Sequence, residues 1–253
     1  MLPHVHPRLL LAALFCLGGV QVVPAQGPPP PKPPPANEKK APITKTGENT
    51  YEMGGIQFNS ATREIRIPTK VNMTEGVIEY ALVTENGKTH ESLLNTKVRP
   101  FDLNVALLLC HYEPHAGDII QLLRDPTPEL KTIAAKKMEH PGANHVLLTV
   151  EWSDKDGKHT VPLGKWIHNE RENKTLDIPF WIYNGSDMGD GIFMADGDGS
   201  FISVHFDLVG IIGSNAKWLG DDNNWQLETK SIPTVGSPVT LIISPAPSVK
   251  SSS

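Results

Sequence analysis

The chain has 253 residues, a formal net charge of −5 and charged side chains at 20% of positions. Lys and Arg are scattered through this mildly acidic chain, which offers no basic stripe for phosphate backbones or anionic lipid and so argues against nucleic-acid and membrane-surface binding. Its two cysteines, Cys16 and Cys110, exclude a disulfide framework and any four-thiolate metal centre.

The N-terminus reads as an export signal. Arg8 precedes an apolar run, Leu9 to Val20, that is too short to span a bilayer and leads to the small-residue site Val23-Pro24-Ala25. Cleavage before Gln26 takes the net charge from −5 to −6, because the leader holds one Arg and no acid. No second long apolar segment follows, so no membrane insertion is expected after cleavage. Residues 26–42 form a proline-rich spacer. Seven prolines in GPPPPKPPPA (27–36) impose extended polyproline II, and the polar stretch after it is expected to be disordered.

The folded portion is expected over 43–244, with a disordered tail at 245–253. Tyr51 to Phe58 and Glu64 to Val71 read as short strands. In EGVIEYALVTENGKTHESLL (75–94), Asn86-Gly87 suits a type I′ turn and predicts a hairpin. That register places Tyr80 opposite Leu93, Leu82 opposite Glu91 and Val83 opposite His90. In DLNVALLLCHY, Asp102 can cap a helix whose buried stripe holds Leu103, Ala106, Leu107 and Cys110. Glu129 to Met138 suggests a second helix between prolines. A hairpin over 146–163 turns at Asp156-Gly157 and sets Trp152 against Val161. A further strand pair is expected around Asp196-Gly197-Asp198-Gly199, with Ile202, Val204 and Phe206 on one face. IPFWIY (178–183) and PVTLII (238–243) add strands. The fold class is therefore α+β and strand-rich, with antiparallel hairpins forming a sheet or sandwich beside one or two short helices.

Several of these pieces together resemble the YdjY-like domain, a family of exported or envelope proteins of bacteria. They are EGVIEYALVTENGKTHESLL, RPFDLNVALLL, FWIYNGS with ADGDGSFIS, and IPTVGSPVTLII, spread from about 52 to 244. The resemblance implies no agreed activity. This chain departs from the pattern where a glycine is expected to end the apolar helix, since it has Cys110-His111 there. Residues 111–141 also look longer than the family pattern.

Lys88, His90, Glu91 and Ser92 are the leading site candidates, His90 and Glu91 as catalytic groups and Lys88 and Ser92 as ligand contacts. A carboxylate on an apolar face must be paired or protonated, and such groups gather at functional sites. The alternative is a structural tie from Glu91, with Arg99 as a partner. HYEPH (111–115) spaces His111 and His115 by four, but Pro114 disfavours a helix there and the Glu is misplaced for HExxH. Cys110, His111 and His115 are thus weak metal candidates, and no cofactor is expected. Asp196, Asp198 and Ser200 suggest a calcium loop, yet Phe201 stands at position six and Asp207 at position twelve, so a tight turn is the simpler reading. No G-x-S-x-G elbow, P-loop or dinucleotide fingerprint is present. The leading functional reading is a non-enzymatic, exported module, periplasmic or extracellular, that binds an envelope protein or small ligand. Its rival is a metal- or carboxylate-dependent enzyme using His90 and Glu91.

Overall fold

The computed structural model describes residues 41–114, 144–189 and 191–247. The first stretch holds β1 (Thr44–Gly47), β2 (Thr50–Met53), β3 (Ile56–Asn59), β4 (Ile65–Val71), β5 (Tyr80–Thr84), β6 (Ser92–Thr96) and α1 (Pro100–Leu109). The second holds β7 (His145–Asp154), β8 (Gly157–Pro162), β9 (Ile167–Asn169), β10 (Lys174–Thr175), β11 (Trp181–Tyr183) and β12 (Met188–Gly189). The third holds β13 (Ile192–Phe193), α2 (Met194–Asp198), β14 (Ser200–Ser203), β15 (Ile212–Ser214), β16 (Trp225–Leu227) and β17 (Pro238–Pro245). The domain is α+β and strand-rich.

Strands β4, β17, β7, β11, β15, β14, β5 and β6 pair in that order, and β6 pairs back onto β4 to close a barrel-like ring. Closure satisfies both edges of these strands, which an open sheet would leave unpaired. A belt of cross-strand partners runs around the ring: Val71, Leu94, Leu82, Ile202, Ile212 and Tyr183. Ile67, Leu241 and Val150 form a second row, and all nine residues are buried. Burying each of the aliphatic side chains among them contributes roughly 1.5–3 kcal/mol.

Residues 75–94 do not form the expected hairpin. β5 and β6 run parallel, with Tyr80 beside Ser92 and Leu82 beside Leu94, and a 3₁₀ turn at Thr89–Glu91 precedes β6. A type I′ turn needs positive φ at both central residues, and neither Asn86 nor Gly87 adopts it. The physical cause is burial on both faces. Tyr80 to Val83 and Ser92 to Leu94 are continuous buried runs, the pattern of parallel strands.

The hairpin of β7 and β8 is present with its register displaced. Trp152 lies opposite His159, and Val161 opposite Val150. The turn residues are Lys155 and Asp156, because the Asp154 carboxylate accepts from the Asp156 N–H at 2.8 Å and Gly157 takes φ +123°. Around Asp196 to Gly199 no strand pair forms. Met194–Asp198 is a single helical turn, α2, ended by Gly199 at φ +75°. Asp196 is held there by Arg99 and by the Phe101 N–H, so β14 pairs instead with β5 and β15. Ser200 to Ser203 are buried on both faces and Phe206 is 45% exposed, which ends the expected alternation.

Tyr51 to Phe58 is two strands, turning at Gly54 and Gly55 with positive φ at both. The expected stripe of α1 is buried as read: Leu103, Ala106, Leu107 and Cys110. Its N-cap is Arg99 with Pro100 next, and Asp102 sits in the first turn, buried. Gly54 makes room for that carboxylate, since a Cβ there would clash with Asp102 Oδ2. The expected helix at 129–138, and most of the long stretch 111–141, lie outside the described residues.

Candidate functional site

Three segments meet at one end of β5. The N–H of Glu79, the residue before Tyr80 at the start of β5, donates to the Glu91 carbonyl at 3.0 Å. The N–H groups of Val204 and His205 donate to the Glu79 carbonyl at 2.8 and 3.3 Å. Backbone bonding therefore brings together Glu79, the Thr89–Glu91 turn and the end of β14.

The side chains form two groups. In the first, Lys88 Nζ donates to the Tyr80 hydroxyl at 2.6 Å and pairs with Asp198 Oδ2 at 3.1 Å. Asp198 also accepts from the Ser200 hydroxyl. Burial pulls the Lys88 ammonium down, but the Tyr80 hydrogen bond and the Asp198 charge outweigh it, so its pKa is raised. Burial first, and the Asp207 charge second, push the Tyr80 phenol above its ordinary value. In the second group, His90 Nε2 lies 3.6 Å from Glu91 Oε2, and His205 Nδ1 lies 3.6 Å from Glu79 Oε2. Burial and the neighbouring Glu79 charge raise the Glu91 carboxyl, while His90 opposes them. The rings of Tyr80 and His205 meet edge to face at 5.2 Å.

The candidates from sequence are thus divided. Glu91 stands on the turn before β6, not on the apolar face of a hairpin, and Arg99 is engaged by Asp196 at 2.6 Å instead. The His90 side chain is 79% exposed. Ser92 is buried in the barrel wall, its hydroxyl donating to the Leu94 carbonyl at 2.9 Å. Cys110 is buried, with its thiol pushed up to about 11 by burial. His111 ends α1 and does not join the Lys88 cluster; its carbonyl accepts from Arg63 at 3.2 Å. His115 lies outside the described residues. Among the described residues no group of three or more His, Cys, Asp or Glu is arranged to hold a metal. Glu79 gave no signal as a site residue in the sequence, and the contacts that bring Asp198 to Lys88 and His205 to Glu79 join residues far apart in the chain. Asp198 was legible only within the Asp196–Asp198–Ser200 spacing, as a calcium-loop candidate or, more simply, a turn residue.

A cleft of about 370 Å³ opens elsewhere, on the flank of β4. β3 pairs with Ile65 and Arg66, whereas β6 pairs with Lys70 and Val71, so the two neighbours diverge around Pro68. Proline offers no N–H to a ladder and suits this position, which pairs with Thr240 of β17 on one edge and with neither β3 nor β6 on the other. Gly54, Gly55, Pro68, Asn95, Thr96 and Val98 line the cleft, with Lys70, Glu85 and Lys97 also on its wall. The Thr96 hydroxyl donates to the Pro68 carbonyl at 2.7 Å, and Asn95 Oδ1 is buried without a hydrogen-bond partner among the described residues.

Fold and site together define a strand-rich, barrel-like domain with ion-paired polar clusters and a side cleft. The family model described as the YdjY domain matches residues 56–244, so the chain belongs to the YdjY domain family. No curated protein and no solved structure matches it.

Proposed function

We propose that this YdjY domain is a non-enzymatic binding module, exported from the cytoplasm, that takes an envelope component or small ligand in the cleft beside β4. The observation that carries this reading is the division of labour among polar groups. Lys88 is engaged by Tyr80 and Asp198, and His90 faces solvent, whereas the cleft has a volume in the range of about 300–1,000 Å³ typical of ligand sites. Its wall is largely apolar with a few polar groups, which is the usual composition for recognition. The Arg8-to-Ala25 leader and the polyproline spacer support export and presentation at a distance.

The test uses the exported protein, with its mature N-terminus read by sequencing and expected at Gln26. Components retained from envelope extracts by that protein are compared with those retained by a Lys70→Glu, Lys97→Glu variant. Both lysines are exposed, so the variant keeps the fold. Loss of a retained component supports the cleft; identical retention by both proteins sinks it.

A second reading, a carboxylate-dependent enzyme using His90 and Glu91, is favoured by one observation: Glu91 is raised by burial and by Glu79. Perturbed carboxyls of this kind occur in general acids as well as in structural networks. A folded Glu91→Gln variant that loses turnover of a substrate found by screening would favour the enzyme.

A further inference from the structure

The loop after β9 meets the loop before β16, two strands that pair antiparallel with Trp225 opposite Asn169. A second cleft, of about 360 Å³, opens at these loops and is lined by Glu170, Arg171, Asp221, Asn223 and Asn224. Every residue of that lining is polar, and none is shared with the cleft beside β4. Asn224 is 1% exposed, and its Oδ1 accepts from the Arg171 N–H at 3.0 Å. Its Nδ2 is buried with no hydrogen-bond partner among the described residues. An amide N–H left this way is costly until an acceptor reaches it.

Beside the cleft stands Trp218, 50% exposed and held at φ +67°, a conformation that a bulky side chain rarely adopts. Its loop is pinned on both sides. The Asp221 N–H donates to the Trp218 carbonyl at 3.1 Å, and the Phe206 N–H donates to the Leu219 carbonyl at 2.9 Å. The Arg171 guanidinium lies 5.5 Å from the centre of the indole and so links the ring to the cleft. Its Nε and Nη2 approach Asp221 Oδ2 at 2.8 and 2.6 Å, which leaves Nη1 outside the pair. Asp221 Oδ1 accepts from the Asn223 N–H at 3.2 Å, and Glu170 is exposed.

We propose that Trp218 and this cleft bind a neutral sugar ring. The C–H face of a pyranose is flat and apolar and stacks on an indole, while its hydroxyls both donate and accept. The cleft answers both roles, with donors on Arg171, Asn223 and Asn224 and acceptors on Glu170 and Asp221. A cationic ligand would meet the Arg171 charge already beside the indole, and an anionic one would meet Glu170 and Asp221. A ligand the size of one sugar binds with Kd on the order of 10⁻³ M at such a site.

The test is NMR of the nitrogen-15-labelled full chain, following the indole N–H signals of its five tryptophans. Trp218→Asn identifies the Trp218 signal and keeps the backbone, since Asn tolerates the left-handed conformation. Glucose, galactose, mannose and N-acetylglucosamine are added separately to about 20 mM, with choline chloride and sodium sulfate as charged controls. At least one of these sugars is expected to shift the Trp218 signal saturably, and Glu170→Ala, a change at an exposed position, should weaken that binding about fivefold. No shift with any of the sugars overturns the site. A shift whose affinity Glu170→Ala leaves unchanged also overturns it, because the ring then binds without the cleft. Tighter binding of choline or sulfate overturns the neutral ligand.

Discussion

Glu91 is held by a turn that half-buries its carboxyl beside Glu79, and both effects favour the protonated form. The sign of the resulting pH dependence follows directly. The folded protein binds this proton more tightly than the unfolded chain, so the group's contribution to stability is full below the unfolded value and is lost as pH rises through the folded one. The window opens near the ordinary carboxyl value of 4.5. Denaturant midpoints between about pH 4 and about pH 7 should therefore fall in the wild type relative to Glu91→Gln. Parallel midpoints for the two proteins would remove Glu91 as a perturbed group. His111 makes another residue-scale point. It takes φ +59° at the end of α1, where the resemblance leads one to expect glycine. Tyr112 N–H donates to the Leu107 carbonyl at 3.0 Å and His111 N–H to the Leu108 carbonyl at 3.0 Å, which is a Schellman cap built without glycine.

At the scale of elements, the turn after β5 crosses the end of α2 in a close joint. A Cβ at Gly199 would lie 2.5 Å from Thr84 Oγ1 and 2.9 Å from the Gly87 Cα, and the residue sits at φ +75°. Gly199→Ala should therefore cost about 2–3 kcal/mol in chemical denaturation, through backbone strain and forced separation of the two turns. A loss below about 0.5 kcal/mol would mean that the turns part freely. This joint explains why Asn86-Gly87 misled as a hairpin signal: the glycine is used for close approach of another backbone, not for positive φ. The same applies to Asp196-Gly197-Asp198-Gly199, whose carboxylates tie α2 to Arg99, Phe101 and Lys88. Local chemistry identified a turn in both places. The choice of partner strand came from contacts far along the chain.

For the whole molecule, closure of the ring by β6 on β4 ties the first described strands to the last, since β4 also pairs with β17 along its length. One cooperative unit is expected. A chain beginning at Ala41, which packs against the core, should unfold in a single transition with a Tm within about 2 °C of the longer protein. Two transitions, or a larger drop, would mean that the preceding segment contributes to folding. No helix among the described residues is long and apolar enough to cross a membrane.

The sequence by itself determined the strand-rich class, the family resemblance, the buried stripe of α1 and the β7–β8 hairpin. Each depends on periodicity or on residues adjacent in the chain. Only tertiary structure decided that β5 and β6 lie parallel, that Lys88 is engaged by Tyr80 and Asp198, and that the cleft opens where β3 and β6 part around Pro68. The physical reason is range. Patterning reports which face of an element is apolar, whereas the closing of a barrel chooses which distant polar groups must meet.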